Sequence, residues 1–282
     1  MSVTIRKAYV DTPHGQLHYR YAAPVLAADA KPKETLLFLH KSASSSVSYE
    51  LLMGMYAAKG HPCYAPDYPG FGRSFDPDAE AIALIEKDGT AWFAKLVLNA
   101  VRSLGVQTAH IIGHHSGTAL ALELAATVPE FTKSIALVGP AVMSEEERAA
   151  MKEVYFAPFN EPRPDGGHLL KTWEYLAHMG VGEDIGMWQR EALDHLRAWR
   201  GRTLIYGAVW AQECEALYMK IECPILLMCA RDDVLWKYFG HVKSLRPEIP
   251  AVEVGGANFE LDRDAGGIEK AWTSFMETLS GV

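Results

Sequence analysis

The sequence has no excess of positive charge: Asp and Glu outnumber Lys and Arg by 35 to 27 over 282 residues, a formal net charge of −8. A nucleic-acid footprint needs a basic face, so that class of partner is excluded. Cysteine is scarce as well. Cys63, Cys214, Cys223 and Cys229 show no C-x-x-C spacing, and they are expected to be buried, reduced thiols of a cytosolic protein. No apolar run approaches the roughly 18 to 20 residues of a membrane span. Met1–Val10 carries Arg6 and Lys7 without the apolar stretch of a leader. The expectation is a cytoplasmic protein that binds neither membrane nor nucleic acid, with oligomeric state left open between monomer and homodimer. There is no H-E-x-x-H, no P-loop and no dinucleotide glycine fingerprint. His114 and His115, as direct neighbours, are not expected to share one metal. No organic cofactor and no metal are implied, and no internal repeat or low-complexity tract is present.

What remains is an ordinary globular composition, 49% apolar and 22% charged. Ile5–Val10 and Gln16–Tyr21 read as a hairpin around His14-Gly15. Thr35–Leu39, Pro62–Pro66, Thr108–Ile112, Lys133–Val138, Ile225–Cys229 and Ala251–Val254 are short apolar runs, as expected for strands buried on both faces. Helical spacing appears around Ser48–Lys59, from Ala79 to Leu104, at Ser116–Ala126 and at Ile268–Leu279. This alternation predicts an α/β fold with a mostly parallel central sheet flanked by helices. From about Met143 to Lys220 the rhythm changes to helix formers with Trp173, Trp188, Trp199 and Trp210. The predicted organisation is a core of residues 1–142 and 221–282, with a helical cap at 143–220.

The most informative segment is Ile111-Ile112-Gly113-His114-His115-Ser116-Gly117-Thr118-Ala119. A buried strand runs through a glycine-framed turn into a small-residue helix, which is the geometry of a nucleophile elbow. Glycines are needed where a side chain would strike the adjoining strand and helix, and the helix N-terminus offers N–H groups to an oxyanion. Together with Leu39-His40, the turn Asp67-Tyr68-Pro69-Gly70-Phe71-Gly72-Arg73-Ser74, and Cys223-Pro224-Ile225 leading to Arg231-Asp232-Asp233, the segment resembles the α/β-hydrolase family over nearly the full chain.

The resemblance implies a Ser–Asp–His triad, and the sequence departs from it. Read without gaps, His115 takes the place of the nucleophilic serine. Ser116 follows at the position whose N–H would serve as an oxyanion donor. Asp233 matches the family's acid. The family's histidine falls at Asn258, within Gly255-Gly256-Ala257-Asn258-Phe259. The implied constellation is His115–Asp233–Asn258. His241 falls in a predicted helix and is read as a satisfied surface or core histidine. The family's His-Gly beside the oxyanion strand is here His40-Lys41-Ser42, with Ser42 offering a backbone N–H. Lys41 is expected to point to solvent; turned inward, it would bring a cation to developing negative charge. His168, Trp173 and Glu174 are candidates for lining the pocket.

Imidazole is suited to proton transfer near neutral pH. The expected chemistry is hydrolysis of a small apolar or aromatic ester, lactone or other carbonyl compound by water activated at His115, with Asn258 holding a water or a substrate oxygen. An acyl-imidazole is less attractive, because nothing obvious remains to activate the water that must clear it. Two alternatives stand beside this reading. One is a cofactor-independent lyase performing carbon–carbon cleavage, elimination or decarboxylation; the other is a non-catalytic small-molecule-binding protein, since fold alone does not decide.

Overall fold

Two antiparallel strands open the chain, β1 (Arg6–Thr12) and β2 (Gly15–Ala22), as the hairpin pattern predicts. Six more follow: β3 (Leu36–Leu39), β4 (Cys63–Pro66), β5 (Ala109–His114), β6 (Thr132–Val138), β7 (Ile225–Ala230) and β8 (Ala251–Val254). They form one sheet in the order β1-β2-β4-β3-β5-β6-β7-β8, parallel from β4 through β8. The computed structural model describes residues 3–28 and 30–280. Met1 and Ser2, the start of the segment tested for a leader, lie outside them.

The two-residue period of the strands builds two cores. Leu37, Leu39, Ile111, Ile135 and Leu137 face one side of the sheet, while Leu36, Phe38, Ile112, Ala136 and Val138 face the other. On the second side lie α1 (Glu50–Ala58) and α12 (Ala265–Ser280), whose Trp272 packs edge-on against Phe38 and Tyr56. On the first side lie α3 (Thr90–Ser103) and α4 (Ser116–Thr127). The helical stretch from Ala79 is two helices rather than one: α2 (Ala79–Asp88) ends where Gly89 adopts φ +58° and α3 starts afresh.

Five helices, α5 (Glu145–Tyr155), α6 (Gly167–His178), α7 (Ile185–Arg197), α8 (Trp199–Ala211) and α9 (Cys214–Lys220), stand between β6 and β7. A Ser144/Glu147 capping box starts α5, and Asp184 caps α7. The last two, α8 and α9, pack on α2 and α4, joining the insertion to the sheet's own helical layer. The remaining helices, α10 (Trp236–Leu245) and the single turn α11 (Glu260–Arg263), flank β8. No helix among the described residues is long and apolar enough to cross a membrane. The four cysteines are unpaired, three of them buried and Cys223 partly so.

Candidate active site

The site lies at the carboxyl ends of the parallel strands, where open α/β sheets collect their ligands. Strand β5 ends at His114 and α4 begins at Ser116, so His115 alone makes the turn, with φ +48° and ψ −114°. The turn fits because two side chains are missing. A Cβ on Gly113 would lie 2.5 Å from Gly117 O, and one on Gly117 would lie 2.1 Å from Leu39 O. A non-glycine residue at such a positive φ stores strain of order 1–3 kcal/mol. His115→Gly and His115→Ala both lose the ring, but only glycine relaxes there. The glycine variant is therefore expected to be the more stable of the two by about 1–2 kcal/mol in urea melts, reversing the usual order. An alanine variant of equal or greater stability would show that the bend is unstrained.

The His115 ring meets Asp233, in the loop after β7, with Nε2 to Oδ2 at 2.6 Å. The carboxylate is held in turn by the Leu235 N–H, which donates to Oδ1 at 2.6 Å. Burial opposes ionisation of Asp233, yet the His115 ring and these hydrogen bonds hold its carboxyl below the ordinary range. With Nε2 engaged, Nδ1 is the ring nitrogen left to deal with a substrate or a water.

Ser116 does not occupy the apex. Its Oγ accepts a hydrogen bond from the Ser42 N–H at 2.7 Å. One of the two expected oxyanion donors is thus already occupied by the hydroxyl beside it. The other, the Ser116 N–H, sits in the first turn of α4, where backbone donors have no intrahelical acceptor.

Lys41 departs from expectation. It is buried, not solvated: Nζ donates to the Asn258 carbonyl and lies 3.5 Å from the centre of the Phe259 ring. Burial pushes its pKa down, opposed by the nearby Glu191, Glu260 and Asp262 carboxyls. Turning inward leaves the ammonium with a carbonyl, a ring face and carboxylates, partners that solvent exposure would forfeit. The Asn258 amide is also committed, receiving the Val234 N–H at 3.3 Å and donating to Met179 O at 2.9 Å. It ties the Asp233 loop to the end of α6 through its oxygen and one of its two N–H donors. His40 is a neutral structural ring. Its Nε2 accepts from the Tyr68 N–H at 3.2 Å, so Nδ1 carries the proton that bonds Lys41 O at 2.9 Å. Burial pushes its pKa down, consistent with that neutral state.

Above His115 lies an apolar cavity of about 40 Å³, walled by Tyr155, Tyr175, Tyr206, Trp210 and Val234. His168 and Trp173 do not line it. His168 sits at the outer start of α6 and accepts from the Arg163 N–H, while Trp173 packs on Trp188. Glu174 is exposed. The aromatic wall comes instead from α6 one position further on, at Tyr175, and from α5 and α8. A larger cleft of about 840 Å³ opens at the opposite end of the strands. Its His61 and His110 are bonded through Nδ1 to Glu34 O and Ser134 Oγ, and among the described residues no carboxylate pairs with either ring as Asp233 does with His115.

Two residues beneath the site carry polar groups that the sequence reading did not single out. His114 Nε2 lies 2.9 Å from Glu260 Oε2, both side chains almost fully buried. Burial and then the Asp233 charge push the Glu260 carboxyl up, while burial and then the His115 ring push His114 down. The signal was available: a histidine in a strand buried on both faces must find a polar partner.

A second buried seam joins α7 to the loop after β3. Ser44 Oγ donates to Glu191 at 3.0 Å and Ser45 Oγ to Asp194 at 2.7 Å. Burial, with Glu191 beside it, pushes the Asp194 carboxyl from 3.8 up to about 7. A raised folded-state pKa means that the native state binds the extra proton. Its stabilisation is complete below about pH 4 and is lost as pH rises through 7. Asp194→Asn is expected to flatten the fall in melting temperature between pH 5 and 8, and an unchanged slope would count against it.

With the geometry in place, comparison with known proteins defines the fold. A family model described as the α/β hydrolase fold matches residues 34–164. The chain is 32% identical over 115 residues to the 2-hydroxy-6-oxo-6-phenylhexa-2,4-dienoate hydrolase of Burkholderia cepacia, covering 40% of this chain and 38% of that protein. It is 32% identical over 169 residues to the haloalkane dehalogenase of Bradyrhizobium diazoefficiens, covering 57% and 44%. In each case the match spans less than half of the relative's length. Among solved structures, the enol-lactonase of Burkholderia xenovorans superposes with a TM-score of 0.74 at 15% identity, covering 96% and 100% of the two chains. The bromoperoxidase of Bacillus anthracis gives 0.77 at 13% identity over 96% and 100%. The chain is an α/β-hydrolase-fold protein.

Proposed function

We propose that this chain is a hydrolase for a small apolar or aromatic ester, lactone or related carbonyl compound, in which His115 acts as general base on water. The observation that carries the reading is the His115 imidazole at the strained apex, held by the Asp233 carboxylate at 2.6 Å and facing an apolar cavity. Asp233 fixes the ring with the Nε2 proton toward itself and stabilises the imidazolium formed when Nδ1 takes a proton. The activated water attacks the carbonyl, and the Ser116 N–H at the α4 N-terminus receives the developing oxyanion. Asn258 and Lys41 shape the floor of this arrangement rather than touching substrate. A volume of about 40 Å³ holds a water or two but not a substrate. Turnover on this reading therefore includes displacement of the α5, α6 and α8 side chains that close the cavity. The relatives named as hydrolases, and the enol-lactonase among the structural neighbours, agree with this class of reaction.

The test is turnover of a panel of aryl esters, lactones and β-keto compounds by wild type, His115→Ala and Ser116→Ala. His115→Ala is expected to lower kcat by about 10²- to 10⁴-fold, the usual worth of a general base. Ser116→Ala is expected to retain activity, because its hydroxyl only occupies the Ser42 N–H. Loss of turnover in Ser116→Ala with retention in His115→Ala would make the chain a serine esterase and end the proposal. Tight, saturable ligand binding without turnover would make it a receptor.

A further inference from the structure

Contrary to the expectation that neighbouring histidines would not share a metal, His114, His115 and Glu260 each offer one ligand atom, and these three atoms all lie within 4.8 Å of one another. We propose that they form a binding site for a divalent first-row transition ion of the zinc class, and that the bound ion reversibly blocks the site. Two imidazole nitrogens and one carboxylate oxygen suit zinc or its neighbours rather than magnesium or calcium, which prefer all-oxygen shells. Three protein ligands with one position open toward a cavity is the pattern of an accessible metal site. Ligand atoms around a tetrahedral zinc stand roughly 3.3 Å apart, so side-chain shifts of about 1 Å suffice.

An independent observation points the same way. His114 and Glu260 are 1% and 0% exposed. Beyond the 2.9 Å bond they share, His114 Nδ1 is buried without a hydrogen-bond partner among the described residues, and the Glu260 carboxyl also faces that of Asp233. Buried polar atoms left in that state are costly, and ligation supplies a partner to such a pair. Asp233 stands against His115 as an outer carboxylate of the kind that orients metal-bound imidazoles. The Lys41 ammonium beside the cluster is engaged by Asn258 O and the Phe259 ring, and ligation by Glu260 releases any proton its carboxyl holds. His115 lines the small cavity, so an ion enters by the route a water takes.

An ion on His115 occupies the lone pair needed to accept a proton, or else displaces Asp233. Metal occupancy and general-base catalysis therefore exclude one another. This consequence rests on the hydrolytic reading, whereas the site itself does not.

The experiment titrates chelator-treated wild-type protein with Co²⁺. One equivalent per chain is expected to give the intense visible d–d absorption of a low-coordinate nitrogen–oxygen site. Glu260→Gln and His114→Gln, checked for native melting, are expected to weaken binding more than about 100-fold, beyond the loss typical of an outer-shell partner. Stoichiometric Zn²⁺ is expected to bleach the cobalt spectrum and suppress turnover until EDTA is added. An aquo-cobalt spectrum in wild type, or unchanged affinity in both folded variants, overturns the site. Should the variants fail to fold, X-ray absorption of cobalt-loaded wild type decides, since a shell without imidazole scattering also overturns it. Cobalt binding by a wild-type chain inactive on every substrate supports the site and ends the hydrolytic reading. Turnover indifferent to Zn²⁺, in protein with no cobalt spectrum, overturns the site and leaves that reading standing.

Discussion

Asp233→Asn is expected to lower kcat by roughly 10³- to 10⁴-fold with little change in KM, the scale set when an amide replaces the carboxylate behind a catalytic imidazole. The reason is the tautomer. In the native chain Asp233 Oδ1 accepts from the Leu235 N–H and Oδ2 faces His115 Nε2, each at 2.6 Å. An asparagine that keeps the Leu235 bond turns its NH₂ toward the imidazole. Nε2 must then accept, the ring proton moves to Nδ1, and the nitrogen left for a substrate or a water is no longer a base. The charge that would stabilise an imidazolium disappears in the same step. The carboxylate shows no such loss in Asp233→Glu if the longer side chain can restore the contact, so partial rescue by glutamate is expected. Single-turnover kinetics with the best substrate of the panel check this. A fall of less than about tenfold for Asp233→Asn would mean that His115 does not work through Asp233.

Much of the frame was legible because the physics that sets it is local. Strands buried on both faces read as apolar runs, and all eight predicted strands fall within a residue or two of the observed ones. The bend at His115 was legible because glycines at 113 and 117 mark close backbone approach, independent of which residue sits between them. The break at Gly89 was hidden within a continuous helical period, since apolar spacing survives a one-residue turn between two helices. Side-chain direction was the harder matter. Lys41 reads as a surface lysine in sequence, and only the carbonyl of Asn258 and the ring of Phe259, more than 200 residues away, make an inward ammonium tolerable. His168 and Trp173 failed as pocket residues for a similar reason: the face of α6 that meets the cavity depends on how α5, α7 and α8 pack around it. Asn258 was read as a holder of water or substrate, whereas its oxygen accepts from Val234 N–H and one of its N–H groups donates to Met179 O.

The largest stability loss is expected from Gly117→Ala, at least about 3 kcal/mol in chemical denaturation. The added methyl would stand 2.1 Å from Leu39 O and 2.9 Å from His40 O, both backbone atoms at the end of β3. Neither can swing away as a side chain would. Leu39 pairs with Gly113 in the sheet, and the Tyr49 hydroxyl donates to Leu39 O at 3.0 Å, so moving that carbonyl breaks a ladder and a buried bond together. The alternative is for α4 to lift from the sheet, which opens the core beneath it and moves Ser116 away from Ser42. Either response also displaces His115, so activity should fall with stability. Gly54→Ala in α1 is the control: a Cβ there meets nothing within 4 Å, and helix propensity alone should stabilise the chain by about 0.5–1 kcal/mol. If the two variants melt alike, the tight approach of α4 to β3 is not what fixes the elbow, and the strained imidazole must be held by its Asp233 contact alone.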